Sequence, residues 1–202
     1  TFKDQLVEYR IASAFVQDEI SLVPQTWTLT LGSRFEHSTL SDFETQPTAR
    51  LMWTPITDDS LWLNWSRAAR TPSLGELNAN VVLGAQPQPL APGGVVVLRS
   101  LPAPNLRPRA ERVDALELGY RRTLSSGSLE AVLFHHNYRR LGATTMGQLD
   151  MSSPPFVQPL YRSYFANACT TGLELAADIN LTATLRLQGS YTVLDTKARR
   201  YL

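Results

Sequence analysis

Apolar and polar residues take turns, one by one, through much of this chain. Over Trp27–Ser38, Trp27, Leu29, Leu31 and Phe35 fall on one parity and Thr28, Thr30, Arg34 and Glu36 on the other. Ala49, Leu51, Trp53 and Pro55 then alternate with Thr48, Arg50, Met52 and Thr54, and Leu61, Leu63 and Trp65 with Ser60, Trp62, Asn64 and Ser66. A period of two places each set on its own face of a sheet. The same beat predicts eight strands in all: Tyr9–Val23, Trp27–Ser38, Pro47–Ile56, Ser60–Ala68, Glu111–Leu124, Leu129–Leu141, Tyr161–Ile179 and Ala183–Lys197. In the strand from Tyr9 the apolar parity Val16, Ile20 and Leu22 also holds Asp18. In the strand from Leu129, both Leu129, Ala131, Leu133 and Val132, Phe134, Tyr138 are usable apolar faces. The pattern leaves the phase of these two strands open.

The connections add a second beat. Tight turns rich in Pro, Gln, Asp, Ser, Gly and Asn are expected at residues 24–26, 57–59, 125–128 and 180–182. Long connections are expected at 39–46, 69–110 and 142–160. Regular alternation of short turns and long loops is the habit of an up-and-down barrel in an outer membrane. The strand lengths agree, because a tilted spanning strand needs about 9–11 residues, against about 5–6 in an ordinary soluble sheet. Polar-parity residues such as Glu117, Arg121, Glu174, Asp178, Arg186 and Gln188 suit a wet lumen, though the solvent side of a soluble sheet would take them too. Trp27, Trp53, Trp65, Tyr120 and Tyr191 suit an interfacial aromatic girdle, with ordinary cross-strand packing as the alternative.

Composition narrows this picture only modestly. A formal net charge of +1 over 202 residues, with no basic block, gives no electrostatic case for nucleic acid. The single cysteine, Cys169, excludes an internal disulfide and a cysteine-built metal site. A mean hydropathy of −0.16 fits a soluble domain and a membrane barrel equally. No apolar run reaches the roughly 18 residues of a spanning helix, and the N-terminal TFKDQLVEYR lacks the form of a signal peptide. Thr1 in place of Met favours a trimmed segment.

Read as a succession, the residues resemble the barrel of TonB-dependent outer-membrane receptors. The likeness is carried by AFVQDEISL (Ala14–Leu22), LTLGSRFEH (Leu29–His37), QPTARLMWTP (Gln46–Pro55) and WSRAARTPSLGE (Trp65–Glu76). It continues through APNLRPRAERVDALELGYR (Ala103–Arg121), LFHHNYRRL (Leu133–Leu141) and the two stretches within Thr171–Thr196. It covers nearly the whole chain in family order. The resemblance implies an all-β fold, an antiparallel up-and-down transmembrane β-barrel present in part. Residues 1–202 would be about eight strands of a wall of about 22 that encloses a separate plug. The plug, its TonB-contacting segment and a closing strand ending on an aromatic residue are expected outside this stretch. It also implies a transport receptor of the cell outer membrane and not an enzyme, with outer-membrane lipid around it and the TonB complex as partner through the plug. A partial wall, with open edges and a lipid face, is expected not to be a stable soluble monomer.

The substrate expectation comes from absences and from arginines. Haem receptors of the family carry a Phe-Arg-Ala-Pro box and an Asn-Pro-Asn-Leu box with a histidine between. Here the places read Ser66-Arg67-Ala68-Ala69-Arg70-Thr71-Pro72 and Ala103-Pro104-Asn105-Leu106, with no histidine between. A ferric siderophore or similar metal chelate is then the expected ligand, and no cofactor is expected. Candidate ligand contacts, facing inward or in loops, are Arg34, Glu36, Arg50, Trp62, Arg70, Arg139 and Arg140, because arginine attracts anionic chelates and tryptophan stacks on planar groups. Ion pairing of these arginines with Glu36, Glu117 and Glu174 is the competing use. No catalytic motif stands out, and neither a metal site nor a nucleophile elbow is present. His135 and His136, adjacent on a strand, point to opposite faces and cannot share one metal. His37 near the end of its strand has weak standing as a surface-loop contact. Within 69–110, Val81-Val82-Leu83 and Val95-Val96-Val97-Leu98 suggest an extra hairpin or a ligand-closing lid, with disorder as the alternative. Two readings from other classes stand beside the receptor: a complete eight-stranded outer-membrane barrel, structural or adhesive, and a soluble all-β binding module.

Overall fold

The computed structural model describes residues 8–78, 80–88, 94–101 and 108–200. The alternating segments form strands β1 (Ile11–Val23), β2 (Trp27–Ser38), β3 (Asp42–Ile56), β4 (Asp59–Arg70), β7 (Glu111–Leu124), β8 (Gly127–Met146), β9 (Phe156–Asn180) and β10 (Arg186–Arg200). A one-turn helix α1 (Leu74–Asn78) and the strands β5 (Val81–Pro87) and β6 (Val95–Leu101) lie between β4 and β7. The eight wall strands pair antiparallel with their neighbours in chain order, from β1 to β10. Among the described residues β1 and β10 do not pair with each other, so the sheet is open. The complete eight-stranded barrel is therefore not what the chain forms.

Register fixes which side chains share a face. One row runs Leu31, Ala49, Trp65, Leu116 and another Leu29, Leu51, Leu63, Leu118, Leu133, Leu173, Val193. Both belong to one face, and it does not meet a protein core. Leu63, Leu118 and Leu133 are 47%, 49% and 54% exposed. Among the described residues the buried apolar side chains are Val96, three alanines and two prolines. A leucine moved from water into hydrocarbon gains about 1.5–3 kcal/mol. A sheet that leaves so many outside is built for an apolar surround.

The register also settles both open phases. Asp18 stands opposite Leu31 and Ile20 opposite Leu29, so Val16, Asp18 and Ile20 share the apolar face, with Asp18 as a carboxylate among them. Leu129, Ala131 and Leu133 of β8 follow Tyr120 and Leu118 onto the same face. Val132, Phe134, His136 and Tyr138 take the polar one. His135 therefore faces the apolar side with Leu116 and His136 the polar side with Ala115.

The apolar face is bounded by charge at both ends. Near the short turns Asp59 accepts hydrogen bonds from Arg122 Nη1 and the Tyr120 hydroxyl, both at 2.9 Å. Trp27 and Trp53 stack there at 5.5 Å. At the other end Arg67 Nε donates to Asp114 Oδ1 at 2.7 Å. From Asp114 to Arg122 is about 27 Å along an extended strand, and about 20 Å vertically once tilted as barrel strands are. That approaches the height of a hydrocarbon slab.

Two sequence expectations change and one open alternative is decided. The connection at 39–46 is a three-residue turn, because β3 starts at Asp42 in a left-handed conformation. Phe35 and Phe43 stack across it at 6.3 Å and Glu36 lies opposite Glu44. Polar residues there extend a hairpin beyond the apolar zone, where nothing requires hydrophobic alternation. The strict short–long beat fails at this one place. β8 and β9 likewise run beyond their expected ends, shrinking 142–160 to a loop at 147–155. The long connection after β4 holds the extra hairpin suggested by Val81-Val82-Leu83 and Val95-Val96-Val97-Leu98, which adds two strands to the eight of the wall among the described residues.

Candidate functional site

The polar face is shaped by pairs of small and large residues. Trp62 lies opposite Gly119, and a Cβ on Gly119 would come within 2.0 Å of the indole. Phe134 lies opposite Gly172, where an added Cβ would sit 2.5 Å from the ring. Each glycine lets an aromatic ring lie down along the wall, a pairing that also holds register. The Arg50 guanidinium sits 5.3 Å above the Trp62 ring centre. Its Nε is buried without a hydrogen-bond partner, and among the described residues it has no carboxylate. Phe134, His136 and Tyr138 continue as an aromatic ladder, with centroids 4.9 and 6.3 Å apart. Glu117 accepts from Asn64 at 3.3 Å and lies 3.5 Å from His136 Nε2. Glu174 accepts from the Thr192 hydroxyl.

Beyond this lining the strands carry a charged rim. The β3–β4 ladder stops at Thr48 and Ser66, and side chains then bridge the gap. Gln46 Oε1 accepts from the Ala69 N–H, and Glu44 accepts from Arg112 Nε at 2.6 Å with Arg140 Nη1 at 3.7 Å. Arg34 donates to Glu36 at 2.8 Å, and the Thr71 hydroxyl donates to the other oxygen of the same carboxylate. Arg70 is shared between Glu111 at 2.9 Å and Glu76 at 3.1 Å. Arg162 of β9 reaches Glu76 at 2.7 Å, and Gly142 N–H of β8 donates to Glu111 at 2.7 Å.

Glu76 does two jobs in this rim. It closes a capping box at the start of α1, accepting from the Ser73 N–H while Ser73 Oγ accepts from its own N–H. It also ties β4 to β9 through Arg70 and Arg162. Burial pushes its carboxyl pKa up, but the hydrogen bonds from Arg70 and Ser73 and the charge of Arg162 outweigh that. The group is held below the ordinary carboxylate value.

The connection that follows crosses two strands. β4 neighbours β7, yet β6 pairs parallel with β9 from Val96 against Phe156 to Leu101 against Tyr161. β8 holds one edge of β9 from Leu160 to Ile179, and β10 holds the other from Ala166 to Asn180. β6 occupies that second edge above β10, with β5 outside it. The hairpin is thus a strap that leaves β4, passes β7 and β8, and docks by strand addition. A partly open apolar cavity of about 510 Å³ lies beside it, lined by Val96, Leu98, Met146, Met151, Phe156 and Leu160 among others.

The sequence-predicted residues separate into groups. Arg50 and Trp62 come together on the polar face, and Arg34 with Glu36 at the rim. Arg70 belongs to the four-charge cluster, and Arg140, in a left-handed bulge conformation, sits beside Glu44. Arg139 does not face inward. Register aligns it with Arg112 and with the outward side of Leu133 and His135, and its charge lies 3.8 Å from Asp114. Glu44, Glu76, Glu111, Arg112 and Arg162 escaped sequence reasoning. Ser73-Leu74-Gly75-Glu76 was a legible capping signal, but Glu44 and Arg112 are 68 residues apart and nothing local links them. The Asn-Pro-Asn-Leu-like place at Ala103–Leu106 lies outside the described residues, as do the ends of the chain.

A wall with an outward apolar band, a polar inner lining and a charged rim defines one strip of a membrane β-barrel. Residues 2–201 match the family model for the TonB dependent receptor-like β-barrel, and the chain belongs to that family. It is similar to the siderophore receptor PirA of Pseudomonas aeruginosa, with a TM-score of 0.73 at 20% identity over 93% of this chain and 34% of that one. It is also similar to a variant of the ferric enterobactin receptor PfeA of the same organism, solved with enterobactin, with a TM-score of 0.74 at 20% identity over 92% and 27%. The FrpB iron transporter of Neisseria meningitidis gives a TM-score of 0.60 at 16% identity over 96% and 26%. The chain spans about a third or less of the length of these structures. A comparison with curated proteins finds no match.

Proposed function

We propose that this chain is part of the wall of an outer-membrane receptor that takes up a metal chelate, a ferric siderophore being the class that fits best. The observation that carries this reading is the two-faced wall. Its apolar band suits lipid, and its inner face offers aromatic rings lying over glycines, one of them beneath the Arg50 guanidinium, a lining suited to planar, partly anionic molecules. The similarity to the siderophore receptor PirA and the enterobactin-bound receptor PfeA supports the substrate class. Energy for uptake would come from the TonB complex acting through a plug encoded outside residues 1–202.

Within this reading the candidate residues differ in role. Arg34, Arg70 and Arg140 are each matched by a carboxylate and serve mainly to hold the rim. Arg50 with Trp62 is the inward-facing pair free to meet a ligand, through a cation–π platform worth about 1–2 kcal/mol when desolvated. The soluble-module reading loses ground to the exposed leucine rows. The test is uptake of radiolabelled ferric chelates by cells that depend on the intact receptor. Deletion is expected to abolish uptake of at least one chelate, and Trp62→Ala with Arg50→Gln to lower it about tenfold. Unchanged uptake of every ferric chelate in the deletion strain would contradict the substrate class.

A further inference from the structure

The outward face carries a feature that neither the apolar band nor the lumen uses. Above Leu133, Leu173 and Val193 the next rows on the same face read His135, Thr171, Asp195 and then Asn137, Cys169, Lys197, with Arg139 one step higher on β8. His135, Asn137, Arg139, Asn167, Cys169 and Lys197 line a shallow cavity of about 460 Å³ across β8, β9 and β10. No carboxylate lines it. The nearest, Asp114 and Asp195, sit at its margins, 3.8 Å from Arg139 Nε and 3.4 Å from Lys197 Nζ. Both cations remain largely open, with 58% and 73% of their side chains exposed. His135 Nδ1 shares a 2.7 Å hydrogen bond with the Thr171 hydroxyl, which fixes its ring at the cavity floor.

We propose that this cavity holds the phosphate-bearing headgroup of an outer-leaflet lipid, with Arg139 and Lys197 as its cationic clamps and Asn137 and Asn167 as hydrogen-bonding walls. The inference rests on the lipid-facing assignment proposed above. Three observations carry it. The cavity shares a face with the leucine rows, so whatever fills it lies at the wall and not in the lumen. It stands one to two rows above the last leucines, where acyl chains would give way to headgroups. Its lining pairs two separated cations with neutral donors, the complement of a phosphate, and cations at a membrane surface contribute about 1 kcal/mol each toward anionic lipid.

The experiment uses the intact receptor that carries this segment, extracted from outer membranes and held in neutral detergent. Native mass spectrometry would follow binding of diphosphoryl lipid A, with its dephosphorylated form and inorganic phosphate as separate arms. Tight retention of the phosphorylated lipid alone is expected. Arg139→Gln and Lys197→Gln should each weaken it about fivefold, and the double variant about thirtyfold. Arg121→Gln, on the opposite face near the short turns, should leave it unchanged. Heat-modifiable electrophoretic mobility would show that each variant is folded. Equal binding by the double variant, or equal retention of the dephosphorylated lipid, overturns the proposal. Displacement by inorganic phosphate at concentrations equal to the lipid's would make this a free-anion site, which also overturns it. A receptor found outside the membrane fraction would instead overturn the lipid-facing assignment beneath it. A receptor that is inserted and transporting but indifferent to lipid phosphate would overturn this inference alone.

Discussion

From Asp59 to Ser66, β4 is zipped to β7 residue by residue, and Leu61, Leu63 and Trp65 project outward with only cross-strand neighbours for company. A few residues further along, Arg67 and Arg70 are each held by a carboxylate, the β3–β4 ladder has ended, and Gln46 and Glu44 span the gap. The same strands therefore obey two chemistries. In the band the backbone ladder does the holding and the side chains answer to an apolar surround. At the rim the β3–β4 ladder gives way while β4 stays paired with β7 as far as Arg70, and paired charges, one capping box and a docked strap take over between the parted strands. Hydrocarbon forbids unpaired backbone groups, whereas a rim in water can leave a ladder and close it with side chains.

The contrast predicts how unequal the two regions are to the same insult. Leu118→Arg puts a guanidinium in mid-band and should cost about 2–4 kcal/mol, enough to empty the outer-membrane fraction of folded receptor on heat-modifiable gels. The identical charge introduced by Asn137→Arg, two rows above the leucines, should cost no more than about 1 kcal/mol. Equal losses at both positions would erase the boundary drawn here. On the inner face Gly119→Val should follow in size. Its side chain collides with the Trp62 ring, an overpacking of about 1–3 kcal/mol visible in the urea midpoint. A milder result, with Trp62 fluorescence unmoved, would show that the ring does not lie where it is placed.

The rim should respond locally. Glu76→Gln removes half of a capping box and weakens two partly exposed ion pairs, together about 1–2 kcal/mol. The effect should appear as faster hydrogen exchange across 81–87 and 95–101 with the band unchanged. Acid should do the same reversibly. Because the folded Glu76 pKa lies below its unfolded value, its contribution is complete above the ordinary carboxylate range and disappears as pH falls through the depressed value. Strap protection, taken against the intrinsic amide rate at each pH, should therefore fall at low pH in the native protein and lose that dependence in Glu76→Gln. Strap protection independent of pH between neutrality and strong acid would show that Glu76 does not pin it.

The same division explains what the sequence made legible. Band strands announce themselves because both faces impose chemistry on alternate residues, so Trp27–Ser38 and Glu111–Leu124 are read to their ends. Where Asp18 interrupts the apolar parity, or where Val132 and Phe134 rival Ala131 and Leu133, composition cannot choose. Only pairing with Leu31 and Leu118 decides. The rim is harder because polar residues in water carry no periodic obligation. Asp42–Gln46 reads as a loop yet pairs as strand, and Arg70 with Arg162 finds Glu76 and Glu111 across three strands. The arginines were legible as a group. Their division into rim ties, an outward-facing Arg139 and Arg50, which has no carboxylate partner among the described residues, needed the register.

The central claim is that one parity of this sheet meets lipid and the other an aqueous lumen. Site-directed spin labelling along Asp114–Arg122 tests it most directly, in the intact receptor with Cys169→Ser and reconstituted in bilayers. Lipid-soluble oxygen should relax labels at Leu116, Leu118 and Tyr120, and a water-soluble nickel reagent those at Ala115, Glu117 and Arg121. A two-residue oscillation of opposite phase for the two reagents is the predicted result. Profiles without that oscillation, or with the phases exchanged, would contradict the account.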